Sequence, residues 1–234
     1  MTEPDQRSVA EMRRHWSEFG RRDPMFYIAT NQRSWTEAEF FAHGRELVES
    51  VLDWAGGGIR RERMIEIGCG LGRMLVHFAP HFEHVEGVDI APQMIARARG
   101  FDLPSNVHLA TISGQDLAPY PDDNFDFAFC FQVFQHIPDP AVIESYLEEI
   151  RRTLRPAARA VVHFDSRPRR LLETIAMLAP DRLLPRTRRR YIRRYRLDRA
   201  RPAVMAAAAG LRVAAERGAG TDEHFLVLEK SSPG

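Results

Sequence analysis

Cysteine is nearly absent: two thiols, Cys69 and Cys130, stand among 234 residues. Two are too few for a disulfide framework, and neither has a thiolate-activating neighbour in sequence, so both read as reduced and buried rather than nucleophilic. Long apolar runs are missing too. None approaches the roughly 20 residues that span a bilayer, which sets aside a membrane partner. The 33 basic and 32 acidic side chains leave no surplus of either sign, so nothing global pulls the chain toward nucleic acid. The opening Met1-Thr-Glu-Pro-Asp-Gln-Arg7 lacks the apolar core of a secretory signal, and the expected location is cytoplasmic. No repeat or low-complexity linker divides the chain, and its length fits one domain with a sizeable core.

Glycine, by contrast, is placed with purpose. Met64-Ile-Glu-Ile-Gly-Cys-Gly-Leu-Gly-Arg-Met74 reads as a buried strand, a turn with Gly68, Gly70 and Gly72 at alternate positions, and an apolar helix start. Glycine is needed where a backbone turns sharply or a ligand must approach it closely. A second strand, His84-Val-Glu-Gly-Val-Asp-Ile90, places Asp89 about twenty positions after the first glycine. At that spacing a carboxylate on the next parallel strand tip accepts hydrogen bonds from ribose hydroxyls. A glycine loop and a strand-end acid in this register form a nucleotide-type cofactor site.

The glycines are tighter than the dinucleotide G-x-G-x-x-G, and Glu66 precedes them. This E-x-G-x-G-x-G resembles the first motif of class I S-adenosylmethionine (SAM)-dependent methyltransferases of the small-molecule type. Asp89 with Ile90-Ala-Pro-Gln-Met94 is similar to that family's second-strand acid and helix start. Asp122-Asp-Asn-Phe-Asp-Phe-Ala-Phe-Cys130 and Phe131-Gln-Val-Phe-Gln-His-Ile-Pro-Asp-Pro140 resemble its fourth strand and the segment after it. Tyr146-Leu-Glu-Glu-Ile-Arg-Arg-Thr-Leu-Arg-Pro156 resembles the helix and turn before its fifth strand. The likeness runs in order over residues 60–166.

The resemblance implies SAM as cofactor. Gly68, Cys69, Gly70 and Gly72 would lie against its methionine portion, Glu66 would orient the ammonium, and Asp89 would hold the ribose. Ile90 and Met94 belong to the same site. The adenine pocket falls to Ser113-Gly-Gln-Asp-Leu117, where Ser113 stands at a position that is often Asp in the family. Gly114, Gln115 and Asp116 are the candidates there. Phe131 sits where the family lines the sulfonium end. His136 is the best sequence-visible base, with Tyr27, His15 and Tyr195 as rivals. The spacing of His77, His81 and His84 invites a metal reading, but Pro80 breaks the helix and no metal is expected.

Alternating strands and helices predict an α/β fold: a Rossmann-like, doubly wound, mostly parallel seven-stranded sheet with an antiparallel C-terminal hairpin. Expected strands are Met64–Ile67, Val85–Val88, Val107–Ala110, Phe125–Cys130, Ala160–Phe164, Leu211–Glu216 and His224–Glu229. Residues 1–54 read as an aromatic-rich helical arm or lid, broken at Asp23-Pro24, with Ser34 or Thr36 opening a helix. Residues 55–234 form the SAM-binding domain, with 167–202 a basic helical insertion. Within it, Leu171–Leu178 suggests a helix, and Arg182 to Arg201 holds ten arginines against one acid, with Tyr191 and Tyr195 interleaved. Arginine's planar fork suits phosphate or carboxylate. Trp16, Tyr27, Arg194 and Tyr195 are therefore the candidate substrate contacts.

The function these features point to is methyl transfer to an oxygen or nitrogen, less readily a carbon, of a small molecule of secondary metabolism, with an anionic acceptor suited to the arginines. Two alternatives stand beside it: an RNA-modifying enzyme using the Arg182–Arg201 stretch, and a SAM-fold protein without methyl transfer. Against RNA, no Asn/Asp-Pro-Pro-aromatic motif follows the fourth strand.

Overall fold

The computed structural model describes residues 5–30, 32, 34–168, 192 and 194–231. Seven strands form one sheet in the order β3-β2-β1-β4-β5-β7-β6. They are β1 Arg63–Ile67, β2 His84–Asp89, β3 Val107–Thr111, β4 Phe125–Cys130, β5 Leu154–Phe164, β6 Leu211–Arg217 and β7 His224–Lys230. The first five pair in parallel, while β7 runs antiparallel between β5 and β6. This is the expected doubly wound sheet with its terminal hairpin.

A parallel strand covered on both faces needs an almost continuous apolar run, and β4 is buried at every residue. Period-two alternation divides the side chains between two cores. Ile65, Ile67, Ala128, Cys130, Ala160 and Val162 pack on one face, and Met64, Phe127, Phe129 and Val161 on the other. Strand order reverses between β1 and β4, so their C-terminal ends open a crevice at the switch point.

Helices α1 Gln6–Arg22, α2 Pro24–Ile28, α3 Glu37–Ala42 and α4 Arg45–Ala55 make the N-terminal arm. The Asp23 side chain accepts from the Phe26 amide and starts α2, while Thr36 and Glu39 cap α3 reciprocally. Val9, Met12, Phe19, Tyr27 and Phe40 join one core, whereas Val48, Val51 and Ala55 join the other. The arm therefore shares both cores with the sheet and crosses its C-terminal edge between them, over the crevice. Among the described residues, four further helices cover the sheet: α5 Leu75–Phe78, α6 Pro92–Ala98, α7 Pro140–Thr153 and α8 Arg201–Ala208.

One strand differs from expectation. β5 begins directly after α7 rather than at Ala160, leaves register, and rejoins: Leu154 pairs with Phe125 but Arg159 pairs with Phe127. Ala157, within that excursion, has φ of 63°. The proposed helix over Leu171–Leu178, the whole Arg182–Tyr191 run and Arg193 lie outside the described residues. Among the described residues no helix is long and apolar enough to cross a membrane.

Candidate functional site

The loop after β1 is built on left-handed backbone. Gly68 and Gly70 have φ of 75° and 55°, conformations costly for any residue with a Cβ. A Cβ on Gly68 would stand 2.2 Å from Val133 Cγ2, and one on Gly70 would stand 2.8 Å from Ile28 Cδ1. The turn is locked to β2, because the Gly68 and Cys69 amides both donate to the Val88 carbonyl. Asp89, at the tip of β2, ties the loop down. One carboxylate oxygen accepts from the Gly70 amide at 3.0 Å and the other from the Ala91 amide at 2.8 Å.

Above this loop lies a cleft of about 890 Å³, counting its open mouth. Glu66, Gly68, Cys69 and Gly70 form its floor, and Asp89, Ile90, Met94 and Ile112 one wall. Phe131, Gln132, Val133 and His136 form the opposite wall, with Met12, Trp16, Tyr27 and Ile28 of the arm overhead. Gln132 holds φ of 57°, an unusual backbone state for a residue with a side chain and one that clusters at functional sites.

The floor is electrostatically unusual. Glu66 is 4% exposed and its Oε2 has no hydrogen-bond partner. Burial pushes its carboxyl up to about 8, with Arg73 acting in the opposite direction. Burial also raises Asp89 to about 6, against the pull of its backbone donors. Arg73 lines the same cleft, and burial lowers its guanidinium to about 10. Desolvation raises the Cys69 and Cys130 thiols, which keeps both protonated and inert.

Of the residues singled out from sequence, Trp16, Tyr27, Glu66, Gly68, Cys69, Gly70, Asp89, Ile90, Met94, Phe131 and His136 share this cleft. The Trp16 and His136 rings meet edge to face at 5.4 Å, and Tyr27 stacks on Phe19 at 4.2 Å. Gln135 Nε2 lies 3.1 Å from His136 Nε2. The others are placed elsewhere. Gly72 faces Leu75 and Leu103, and Gly114 faces Ile90 and Val9. Gln115 pairs with Gln6, and Asp116 caps the Ala118 amide. Arg13 of α1 closes off that side by donating to the Ile112 and Ser113 carbonyls at 3.0 and 2.7 Å. Gly114, Gln115 and Asp116 do not line the cleft, which on this side is bounded by the apolar Ile90, Met94 and Ile112.

Arg194 and Tyr195 do not line the cleft either. Arg194 pairs with Asp222 at 3.3 Å, and the Tyr195 amide donates to the Gln135 carbonyl at 2.6 Å. Other described arginines of the basic stretch also meet carboxylates: Arg196 lies 3.8 Å from Asp165 and Arg201 2.9 Å from Glu144. Among the histidines of the metal reading, His77 meets the Phe41 carbonyl at 2.6 Å, and among the described residues no group of side chains is arranged to hold a metal. Sequence reasoning missed Met12, Ile28, Arg73, Ile112, Gln132 and Val133. Arg73 alone carried a usable signal, standing immediately after the third glycine. The others reach the cleft through tertiary packing.

Residues 65–162 match a family model described as a methyltransferase domain. A ubiquinone biosynthesis O-methyltransferase of Aeromonas salmonicida is 31% identical over 116 residues, which cover 47% of this chain and 48% of that protein. A protein of the same description from Xylella fastidiosa is 30% identical over 149 residues, 62% of this chain and 57% of the relative. The chain thus spans about half the length of the curated relatives it matches. Among solved structures, magnesium protoporphyrin IX methyltransferase from Synechocystis, with bound SAH, superposes with a TM-score of 0.63 at 19% identity, covering 96% of this chain and 99% of that one. A Pyrococcus horikoshii protein gives 0.68 at 21% identity, covering 92% and 99%. These structural likenesses concern the fold.

Proposed function

We propose, from the premise that the chain carries a class I S-adenosylmethionine-dependent methyltransferase domain, that it methylates a hydroxyl oxygen on a small aromatic molecule. The observation that carries this reading is the meeting, in one cleft, of a cofactor floor and an aromatic wall. The floor fits SAM by three features: a glycine cradle that a Cβ would fill, a strand-tip carboxylate at Asp89, and the unpartnered Oε2 of Glu66. Asp89 takes the ribose hydroxyls, Glu66 the ammonium, and Ile90, Met94 and Ile112 the adenine face. When bound, SAM supplies a methyl group already activated by the positive sulfonium. The protein's task is then alignment, exclusion of water and removal of the acceptor's proton.

Trp16, Tyr27 and Phe131 give the acceptor a flat, apolar seat, while His136 beside Trp16 stands ready to take the hydroxyl proton. Oxygen is favoured over nitrogen because the curated relatives are O-methyltransferases. Supplying methyl-labelled SAM with a panel of catechols, hydroxybenzoates and matched anilines tests the proposal. Label should enter the hydroxylated compounds. Label confined to the amines overturns it.

A further inference from the structure

The turn after β4 holds a strained residue that packing does not explain. Gln132 sits at φ of 57°, a left-handed state that glycine adopts freely and a residue with a Cβ adopts at a cost. Its neighbours account for their own places. Phe131 stacks on Phe225 with ring centroids 5.8 Å apart, and Val133 fills the space over Gly68. Gln132 is half-buried, lines the cleft, and makes no hydrogen bond to any described residue. A side chain kept in a costly backbone state, with no bond to the protein to offset it, is expected where a ligand uses it.

The surroundings set what that ligand group can be. Trp16, Tyr27 and Ile28 of the arm line this part of the cleft, with the Gln132 carboxamide and the His136 imidazole on the wall opposite. The charged side chains of the cleft lie elsewhere: Glu66 on β1, Asp89 at the tip of β2 and Arg73 just past the glycine loop. Among the described residues, no arginine or lysine of the arm or of the turn lines the cleft. A carboxylate seated beside Gln132 would therefore be desolvated without a countercharge from either side. A neutral hydroxyl, ether or carbonyl would be matched by the carboxamide, which both donates and accepts.

We propose that Gln132 is a specificity residue for the acceptor: its carboxamide hydrogen-bonds a neutral oxygen substituent next to the hydroxyl that is methylated, and disfavours a carboxylate in that place. This rests on the O-methylation reading above and narrows its substrate class to neutral acceptors bearing a second oxygen. It also accounts for glutamine at a turn position where glycine would fold more easily.

Three phenols that differ in one ortho substituent test this: 2-methoxyphenol, 2-ethylphenol, in which a methylene replaces the ether oxygen, and 2-hydroxyphenylacetate, which carries a carboxylate. Wild type should favour 2-methoxyphenol over 2-ethylphenol in kcat/KM by about 2–10-fold, the scale of one neutral hydrogen bond. The carboxylate should be the poorest acceptor of the three. Gln132→Met keeps the length and loses the amide, so it should bring the two neutral phenols to parity and leave S-adenosylhomocysteine affinity unchanged by calorimetry. Gln132→Gly should also abolish the preference while raising Tm by about 2–4 °C, since relief of the strained φ outweighs the extra chain entropy of glycine. A preference that survives in Gln132→Met overturns the proposal, as does a cofactor affinity that falls with it. A Gln132→Gly protein no more stable than wild type would assign the side chain to the fold and also overturn it. If wild type methylates the two neutral phenols equally, or the carboxylate best, the Gln132 reading falls and O-methylation stands. If it methylates no phenol, the O-methylation reading falls and takes this one with it.

Discussion

Glu66 and Asp89 hold their protons above the usual carboxylate range because the cleft is dry, at about 8 and about 6. For a carboxyl raised on folding, the stability it contributes is complete below its ordinary value and is lost as pH rises through the folded one. The empty protein should therefore lose stability between roughly pH 4 and 8 on account of these two groups. A ligand ammonium at Glu66 favours the ionised form, so binding should release protons near neutral pH. S-adenosylhomocysteine affinity should accordingly rise with pH up to about 8 and then level off. Glu66→Gln should flatten that rise. Calorimetry in buffers of different ionisation enthalpy measures the release directly, and proton uptake would remove Glu66 from the ammonium site. Asp89→Ala should cost about 1.5–3 kcal/mol in cofactor affinity, the scale for a charged acceptor. Its loss also frees the Gly70 and Ala91 amides that it holds.

At the scale of elements, the glycine loop and the arm form one unit. Gly70→Ala adds a Cβ at a strained φ of 55° and meets Ile28 Cδ1 of α2 at 2.8 Å, so the Ile28 side chain must move and its packing in the arm is disturbed. Cofactor binding should fall and the arm should become more open to protease, with far-ultraviolet circular dichroism little changed. Native affinity with an undisturbed arm would show that the packing is slack. The opposite exchange suits the β5 excursion. Ala157 sits at a φ of 63°, where a residue with a Cβ is strained by about 1–2 kcal/mol. Ala157→Gly should therefore raise the unfolding free energy, by about 1 kcal/mol once the extra chain entropy of glycine is subtracted. Denaturant titration would show it as a higher midpoint at unchanged slope.

Across the whole molecule, Asp165 joins the far end of β5 to the stem of the basic insertion. Its buried carboxylate takes Arg167 at 3.1 and 2.6 Å and faces Arg196 at 3.8 Å, while its carbonyl accepts from the Leu197 amide. The same stem reaches Gln135, next to His136, through the Tyr195 amide. Asp165→Ala removes the carboxylate from this cationic knot. It should cost about 3 kcal/mol, roughly 6–12 °C in Tm for a chain of this length. Because the cofactor floor lies elsewhere, the loss should appear in acceptor KM and kcat and leave S-adenosylhomocysteine affinity near wild type. A fall in cofactor affinity alone would contradict this division.

The sheet, its hairpin and the glycine loop beneath the cleft could be read from local patterns. A parallel strand must be apolar, a left-handed turn requires glycine, and an acid at the next strand tip follows from the βαβ repeat. Gly68, Gly70 and Asp89 were legible for that reason. The arm side of the cleft was legible only in part: Trp16, Tyr27 and His136 stood out in the sequence. Met12, Ile28 and Val133 are ordinary apolar residues whose place over the cleft depends on how α1, α2 and the turn after β4 dock. The basic stretch suggested an anion site, yet Arg194, Arg196 and Arg201 find Asp222, Asp165 and Glu144, carboxylates far away in sequence. Arg73 shows the limit most clearly. Its position beside the third glycine was in plain view, but only the folded chain leaves its Nε without a partner in the same cleft as Glu66. Local sequence determines which backbone states and strand faces are possible. Which charges remain unpaired is decided when distant segments close around them, because each buried charge must be desolvated and its partners come from the whole fold.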